Sequence, residues 1–183
     1  MDNYVGIAKI MLMPNVAMLT IFVLLASQTR SYIQPLIVLA GVPFGAAGAV
    51  IGHFLLGYNI SFISIFGMVA LSGVVVNDSL VLVDQYNRNR NAGKSVHAAI
   101  VEASRRRFRA IFLTTATTAL GLTPMLFETS TQAQFLIPMA VSLATGIVFA
   151  SVIILFLIPA LVVIMEDFKS VVSPAAQPRL QAG

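Results

Sequence analysis

The residues best placed to do chemistry are a carboxylate and its amide neighbour in an otherwise uncharged stretch. Asp78 follows Asn77, and between Ser31 and Val83 it is the one formally charged residue. An ionised carboxylate in hydrocarbon is costly, so within a membrane span Asp78 must face a protein interior, a partner or a water-filled path. Two roles suit such a group: relaying a proton or cation, or serving as a buried structural hydrogen-bonding group. Thr114, Thr115, Thr117 and Thr118 form a hydroxyl cluster farther along. Asp78 lies eight residues from Tyr86 and Thr118 eight from Ala110, so antiparallel neighbours would hold both at about 12 Å from one membrane edge. Thr114 and Asn77 would extend that polar network, since hydroxyls and an amide can bond a carboxylate or hold water beside it. Threonine also bonds back to its own helix, which leaves a purely structural role equally open. Arg109 is either an anchor at the membrane edge or a side chain that snorkels to the polar group. Asp84 reads as a cap or a solvated charge near the same edge.

Other chemistry is poorly supplied. There is no cysteine, which removes disulfides, thiolate metal sites and cysteine nucleophiles. His53, beside Gly52, reads as an interfacial residue, and His97 falls in a linker; two separated histidines without nearby acids make no metal site. No serine has the base and orienting group that covalent catalysis needs, so the expectation is no catalytic residue, no metal and no bound cofactor.

The elements that must position Asp78 follow from composition. Of 183 residues 58% are hydrophobic and 10% charged, with a mean hydropathy of +0.91. A soluble domain carries about 25% charged residues, so the pattern is that of an all-α, polytopic membrane protein. Punctuation divides it into five spans of about the 20 residues a bilayer requires: 4–25, 33–56, 62–86, 110–127 and 135–165. Between the third and fourth, 95–108 places Val96, Ala99, Ile100 and Ala103 at helical spacing among polar neighbours, which predicts an amphipathic helix lying along the interface. Residues 1–168 then form one helical membrane domain, and 169–183 a disordered tail. In the second span Gly41, Gly45, Gly48 and Gly52 fall within about 60° of one another on a helix, a face that lets another backbone approach closely. Ser142, Gly146 and Ala150 form a weaker stripe of the same kind in the fifth span.

Seven of the eleven Lys and Arg residues lie between Arg88 and Arg109, beside spans rather than on a basic globular surface. This argues for topology rather than nucleic-acid binding, and places that linker and the C-terminus in the cytoplasm, with the N-terminus outside. An external N-terminus without an evident signal suits a fragment whose upstream part delivers it there. A stand-alone small membrane protein that assembles with or regulates a partner transporter through the glycine face is the alternative.

Gly67 to Tyr86, GMVALSGVVVNDSLVLVDQY, and Arg105 to Leu122, RRRFRAIFLTTATTALGL, closely resemble the last part of resistance-nodulation-division efflux pumps. The Pro35 to Gly52 segment and the Ile158–Pro159 pair are similar to the helices on either side in those proteins. The resemblance spans about Met13 to Phe168 and implies helices eight to twelve of twelve, in an inner-membrane permease that exchanges inward proton flow for outward movement of drugs or other amphiphiles. It further implies the remainder of the permease as partner, including the porter domain and the acidic residues of the fourth helix, together with a homotrimer, a periplasmic adaptor and an outer-membrane channel. The family pattern has a lysine followed by an asparagine on the tenth helix. Asn77 and Asp78 stand there instead, so the lysine is absent. The relay threonine of the eleventh helix matches Thr114 or Thr115, and the arginine before that helix matches Arg109.

Overall fold

The computed structural model describes residues 16, 19–27, 29, 31 and 33–172, with side chains through Phe168. Most of the expected first span, 4–25, lies outside these residues, as do 173–183 of the tail; 19–27 are helical. Five helices follow: α1 Gln34–Leu39, α2 Val42–Leu56, α3 Phe62–Asn91, α4 Val96–Leu126 and α5 Thr131–Val172. There is no strand among the described residues, and three stretches, Gln34–Leu56, Phe62–Asn91 and Thr131–Phe168, are long and apolar enough to cross a membrane.

The helix ends differ from the sequence reading in instructive places. The second span is interrupted between α1 and α2, because Pro43 has no N–H for the Leu39 carbonyl. α2 stops at Gly57, whose φ of 71° is left-handed and suits glycine. α3 starts on a reciprocal capping box, with Ser61 Oγ accepting from Ser64 N–H and Ser64 Oγ from Ser61 N–H. It runs five residues past the expected end at Tyr86 and closes at Gly93, φ 83°. The expected interfacial helix 95–108 and the span 110–127 are not separate elements: Ser95 caps one continuous helix, α4, that crosses Arg109 and Ala110 without a break. Neither Gly nor Pro lies between the two halves, so the change from charged to apolar residues alters the surroundings and not the backbone. α5 likewise continues to Val172, four residues into the expected tail, and carries Pro138 and Pro159 within it.

α5 is the hub, packed against α1, α2, α3 and α4. Its buried residues Ile147, Ala150, Ile154, Ile158 and Val162 recur at three- and four-residue intervals and meet Ala49 of α2 and Leu71 and Val75 of α3 in one core. Large apolar side chains such as Phe54, Leu55, Phe62, Leu120 and Phe156 cover the outside, as a lipid-facing surface requires. Small residues set the spacing. A Cβ on Gly41 or Gly45 would press on Val75 or Leu71 of α3, and one on Gly48 or Gly52 would overlap Phe149 or Thr145 of α5. Gly67 of α3 meets Met139 so closely that a Cβ would stand 2.6 Å from its carbonyl oxygen. Gly146, in the weaker stripe, faces Leu71 and the Gly45 carbonyl.

Hydrogen bonds fasten the same contacts. His53 is not interfacial: it is 1% exposed, its Nδ1 lies 2.9 Å from the Ala49 carbonyl and its Nε2 2.8 Å from Ser64 Oγ. A carbonyl only accepts, so Nδ1 carries the proton, and in the neutral ring Nε2 accepts from the Ser64 hydroxyl. The Ser64 carbonyl in turn accepts from Ser142 Oγ at 3.0 Å, which joins α2, α3 and α5 in one chain of bonds. At the opposite end, Gln34 and Asn87 exchange two amide hydrogen bonds of 2.9 Å between α1 and α3. In the α3–α4 turn Glu102 accepts from Lys94 and from Arg106, and the Lys94 bond holds its carboxyl below the ordinary value.

Two stability outcomes follow. Gly52→Ala is expected to cost about 1–3 kcal/mol through overpacking, read as a lower melting temperature in detergent. Thr145→Gly is expected to restore the loss while Thr145→Ser does not, because the Thr145 Cβ itself would overlap. Ser64→Ala, which strips His53 Nε2 and the Ser61 N–H of their partner, is expected to cost about 1–3 kcal/mol by the same measurement. A melting temperature unchanged by Ser64→Ala would mean that the His53 chain of bonds holds nothing.

Candidate functional site

Asp78 lies on α3 near the seam with α4, half-buried, and makes no hydrogen bond or salt bridge among the described residues. The depth of everything opposite it is fixed by the turn. Asn89 Nδ2 donates to the Ala99 carbonyl at 2.9 Å, tying the inner ends of α3 and α4 together. Eleven residues back from Asn89 is Asp78, and eleven forward from Ala99 is Ala110, so Asp78 stands level with the Arg107–Ala110 stretch. Thr118 is eight residues beyond that level, about 12 Å, and opposite Ala70. The expected pairing of Asp78 with Thr118 therefore does not form. It assumed that the two helices end at Tyr86 and Ala110, whereas they continue past the apolar boundary to a turn at 92–95.

The guanidinium acting on the Asp78 carboxyl belongs to Arg107, which is half-buried. Arg109, the expected candidate, is exposed, and two residues along a helix is 200° of rotation, so it points to the other side of α4. Asn77 is exposed and turned from the seam. The threonines divide. Thr114 and Thr117 bond back to the carbonyls of Ala110 and Leu113, at 2.9 and 2.8 Å, so their hydroxyls serve their own helix. Thr115 Oγ1 and the Oγ of buried Ser151 of α5 are hydrogen-bonded at 2.5 Å, a bond between helices. Thr118 is half-buried and makes no hydrogen bond among the described residues. Asp84 forms an exposed salt bridge with Arg88 one turn on, at 2.9 Å, a contact worth little in water.

Sequence reasoning thus passed over three side chains. Arg107 was hidden among four arginines within five residues, and only the helical phase separates it from its neighbours. Ser151 carries no local signal at all. Ser79 is fully buried beside Asp78, its hydroxyl lacking a partner where Gly41 approaches α3. No group of three or more His, Cys, Asp or Glu that would hold a metal ion occurs among the described residues. A polar cleft of about 620 Å³ opens among α1, α3 and α5 at the end of the bundle that carries the basic turn, lined among others by Gln34, Asp84, Tyr86, Asn87 and Glu166. What the arrangement offers is a carboxylate at the edge of an apolar bundle, one cation within electrostatic reach, and a polar cleft on the side of the basic turn.

Comparison with known proteins agrees with a membrane transporter. Nickel and cobalt resistance protein CnrA of Cupriavidus metallidurans is 34% identical over 145 residues, which is 79% of this chain and 14% of that protein. Multidrug resistance protein MdtC of Erwinia amylovora is 29% identical over 154 residues, 84% of this chain and 15% of its own length. The crystal structure of a heavy metal efflux pump superposes with a TM-score of 0.75 at 27% identity, covering 87% of this chain and 16% of the pump. The chain spans about one seventh of the length of these relatives. Residues 7–166 match the AcrB/AcrD/AcrF family from end to end of the helical bundle, and the chain belongs to that family of efflux transporters.

Proposed function

We propose that this chain is the second-half membrane part of a proton-driven efflux permease in the bacterial inner membrane, and that Asp78 is its proton-exchanging group. The observation that carries the reading is a half-buried carboxylate with no hydrogen bond among the described residues and the Arg107 guanidinium within electrostatic reach. Ionised, Asp78 draws Arg107 and ties α3 to α4. Protonated, it has no charge for Arg107 and no longer needs the water or countercharge that an ion in hydrocarbon demands. Proton uptake therefore biases the α3–α4 seam between two arrangements, which is what coupling a proton to a conformational cycle requires. Asn77, where the resembled pumps have lysine, leaves Arg107 as the cation of this seam. The basic turn supports a cytoplasmic C-terminus and a periplasmic N-terminus. The remaining permease, as a homotrimer with a periplasmic adaptor and an outer-membrane channel, would supply the cargo path.

For the cargo, drugs and other amphiphiles are one class and transition-metal cations the other. The relatives named for nickel and cobalt resistance and for heavy-metal efflux favour the cations. Since no metal-holding group occurs among the described residues, the metal would be bound elsewhere in the transporter and this bundle would power the cycle.

In the complete transporter, Asp78→Asn is expected to lower proton-coupled export at least tenfold with the amount in the membrane unchanged, measured as cargo-induced proton flux in everted vesicles. Export at the wild-type rate would remove Asp78 from the relay. Arg107→Gln is expected to slow transport and shift its pH profile, whereas Arg88→Gln, on the exposed pair, leaves both in place. Nickel or cobalt against a lipophilic dye as the driving cargo separates the two substrate classes.

A further inference from the structure

A groove of about 420 Å³ opens on the lipid-facing side between α4 and α5, lined by Ser104, Arg105, Phe108, Val152, Leu155 and Phe156. It has no part in the Asp78 seam, which lies on the other side of α4. Its polarity is ordered along its length. The Thr115–Ser151 bond sets the register of α4 against α5, and by that register Phe156 stands level with Ala110 and Val152 with Thr114. The groove thus begins at the Arg105 guanidinium and runs about 14 Å into the apolar zone, walled by Phe108, Leu155, Phe156 and Val152.

The charge at its mouth is unspent. Arg105 and Arg109, one turn apart on the same face, are exposed and make no hydrogen bond or ion pair among the described residues. Their neighbours are committed elsewhere: Arg106 to Glu102 at 2.7 Å, and Arg107 toward Asp78. Glu166 of α5 acts on Tyr86, on the α3 side. Phe108 and Phe112, stacked with ring centroids 6.2 Å apart, continue the stripe from the arginines into the apolar zone, and Phe156 is 75% exposed. Unpaired cations at the membrane edge followed by an apolar trough match the order of a phospholipid, with the phosphate outermost and the acyl chain behind it.

We infer that this groove is a binding site for an anionic phospholipid of the leaflet that borders the α3–α4 turn. Its phosphate rests on Arg105 with Arg109 beside it, and one acyl chain lies along Phe108, Leu155 and Phe156. Zwitterionic lipids fit the trough but bring an ammonium to the arginines, so the site selects by headgroup charge.

The test is native mass spectrometry of the full chain in detergent, titrated with phosphatidylglycerol or with phosphatidylethanolamine of matched acyl chains. The expected result is about tenfold tighter retention of phosphatidylglycerol, reduced to the phosphatidylethanolamine level by the double variant Arg105→Gln, Arg109→Gln and left unchanged by Arg88→Gln. The pair Phe108→Ala, Phe156→Ala, at exposed positions where folding is not at stake, is expected to weaken retention of both lipids. Equal retention of the two lipids by the unaltered chain, or an equal loss in Arg88→Gln, would overturn the site. Displacement of phosphatidylglycerol by glycerol 3-phosphate alone would overturn the lipid assignment in favour of a free phosphate. None of these outcomes depends on whether Asp78 carries protons.

Discussion

Lipid tails are as apolar as leucine, so two membrane helices gain little by hiding apolar side chains from them and must gain instead from close contact. That contact is made along α5. Gly48 and Gly52 of α2 lie against Phe149 and Thr145, Gly67 of α3 against Met139, and Gly146 of α5 against the Gly45 carbonyl. At each place there is no room for a methyl group without displacing a neighbour. Everything else inherits this spacing: Ser142 reaches the Ser64 carbonyl because α3 and α5 are already close, and His53 reaches Ser64 because α2 is drawn to the same point.

Within that frame polar groups are rationed by whether they find a partner. Thr114, Thr117 and Thr123 return their hydroxyls to carbonyls one turn back, which makes them nearly inert in an apolar setting. His53 is surrounded by acceptors and donors of fitting type and so is a fastener rather than a reactive group. Asp78 differs in kind, since it is a carboxylate that no donor among the described residues hydrogen-bonds, with the Arg107 guanidinium acting on its charge. A half-buried carboxylate with no hydrogen-bond partner among the described residues fastens no helix to another by that route, which is the ground for proposing that it serves a cycle rather than the fold.

The membrane character, the helical class and the glycine face were legible because each rests on local composition or on a short period. The register of α3 against α4 was not, and the reason is physical. Hydropathy marks where the bilayer ends, and both helices run on beyond it, so the change at Arg109–Ala110 is a boundary of solvent and not of structure. The true turn had its own marks in Gly93 and the capping Ser95, but these compete with the stronger hydropathy step fourteen residues later. His53 was misplaced for a related reason. Its position near a helix end suggests water, while its burial depends on Ser64 and on α5, neither of which is local to it.

The run Arg105, Arg106, Arg107, Arg109 shows why counting charge is insufficient in such a segment. A run of four cations argues only for which side of the membrane this end of α4 keeps to. At 100° per residue the same four side chains part company: Arg106 returns to Glu102, Arg107 acts on Asp78 at the seam, and Arg105 lines the outer groove with Arg109 one turn on along the same face. An arginine in this run therefore cannot stand in for its neighbour, and moving one charge by a single position would keep the topology while emptying a site. Because α4 is continuous from Val96 to Leu126, the seam and the groove are opposite faces of one rigid rod. A rotation of α4 that loosens Arg107 from Asp78 must also carry Arg105 across the groove mouth. On the two proposed roles, lipid occupancy on the outside and protonation on the inside would act on the same degree of freedom, each biasing the rod by whatever difference it feels between the two positions.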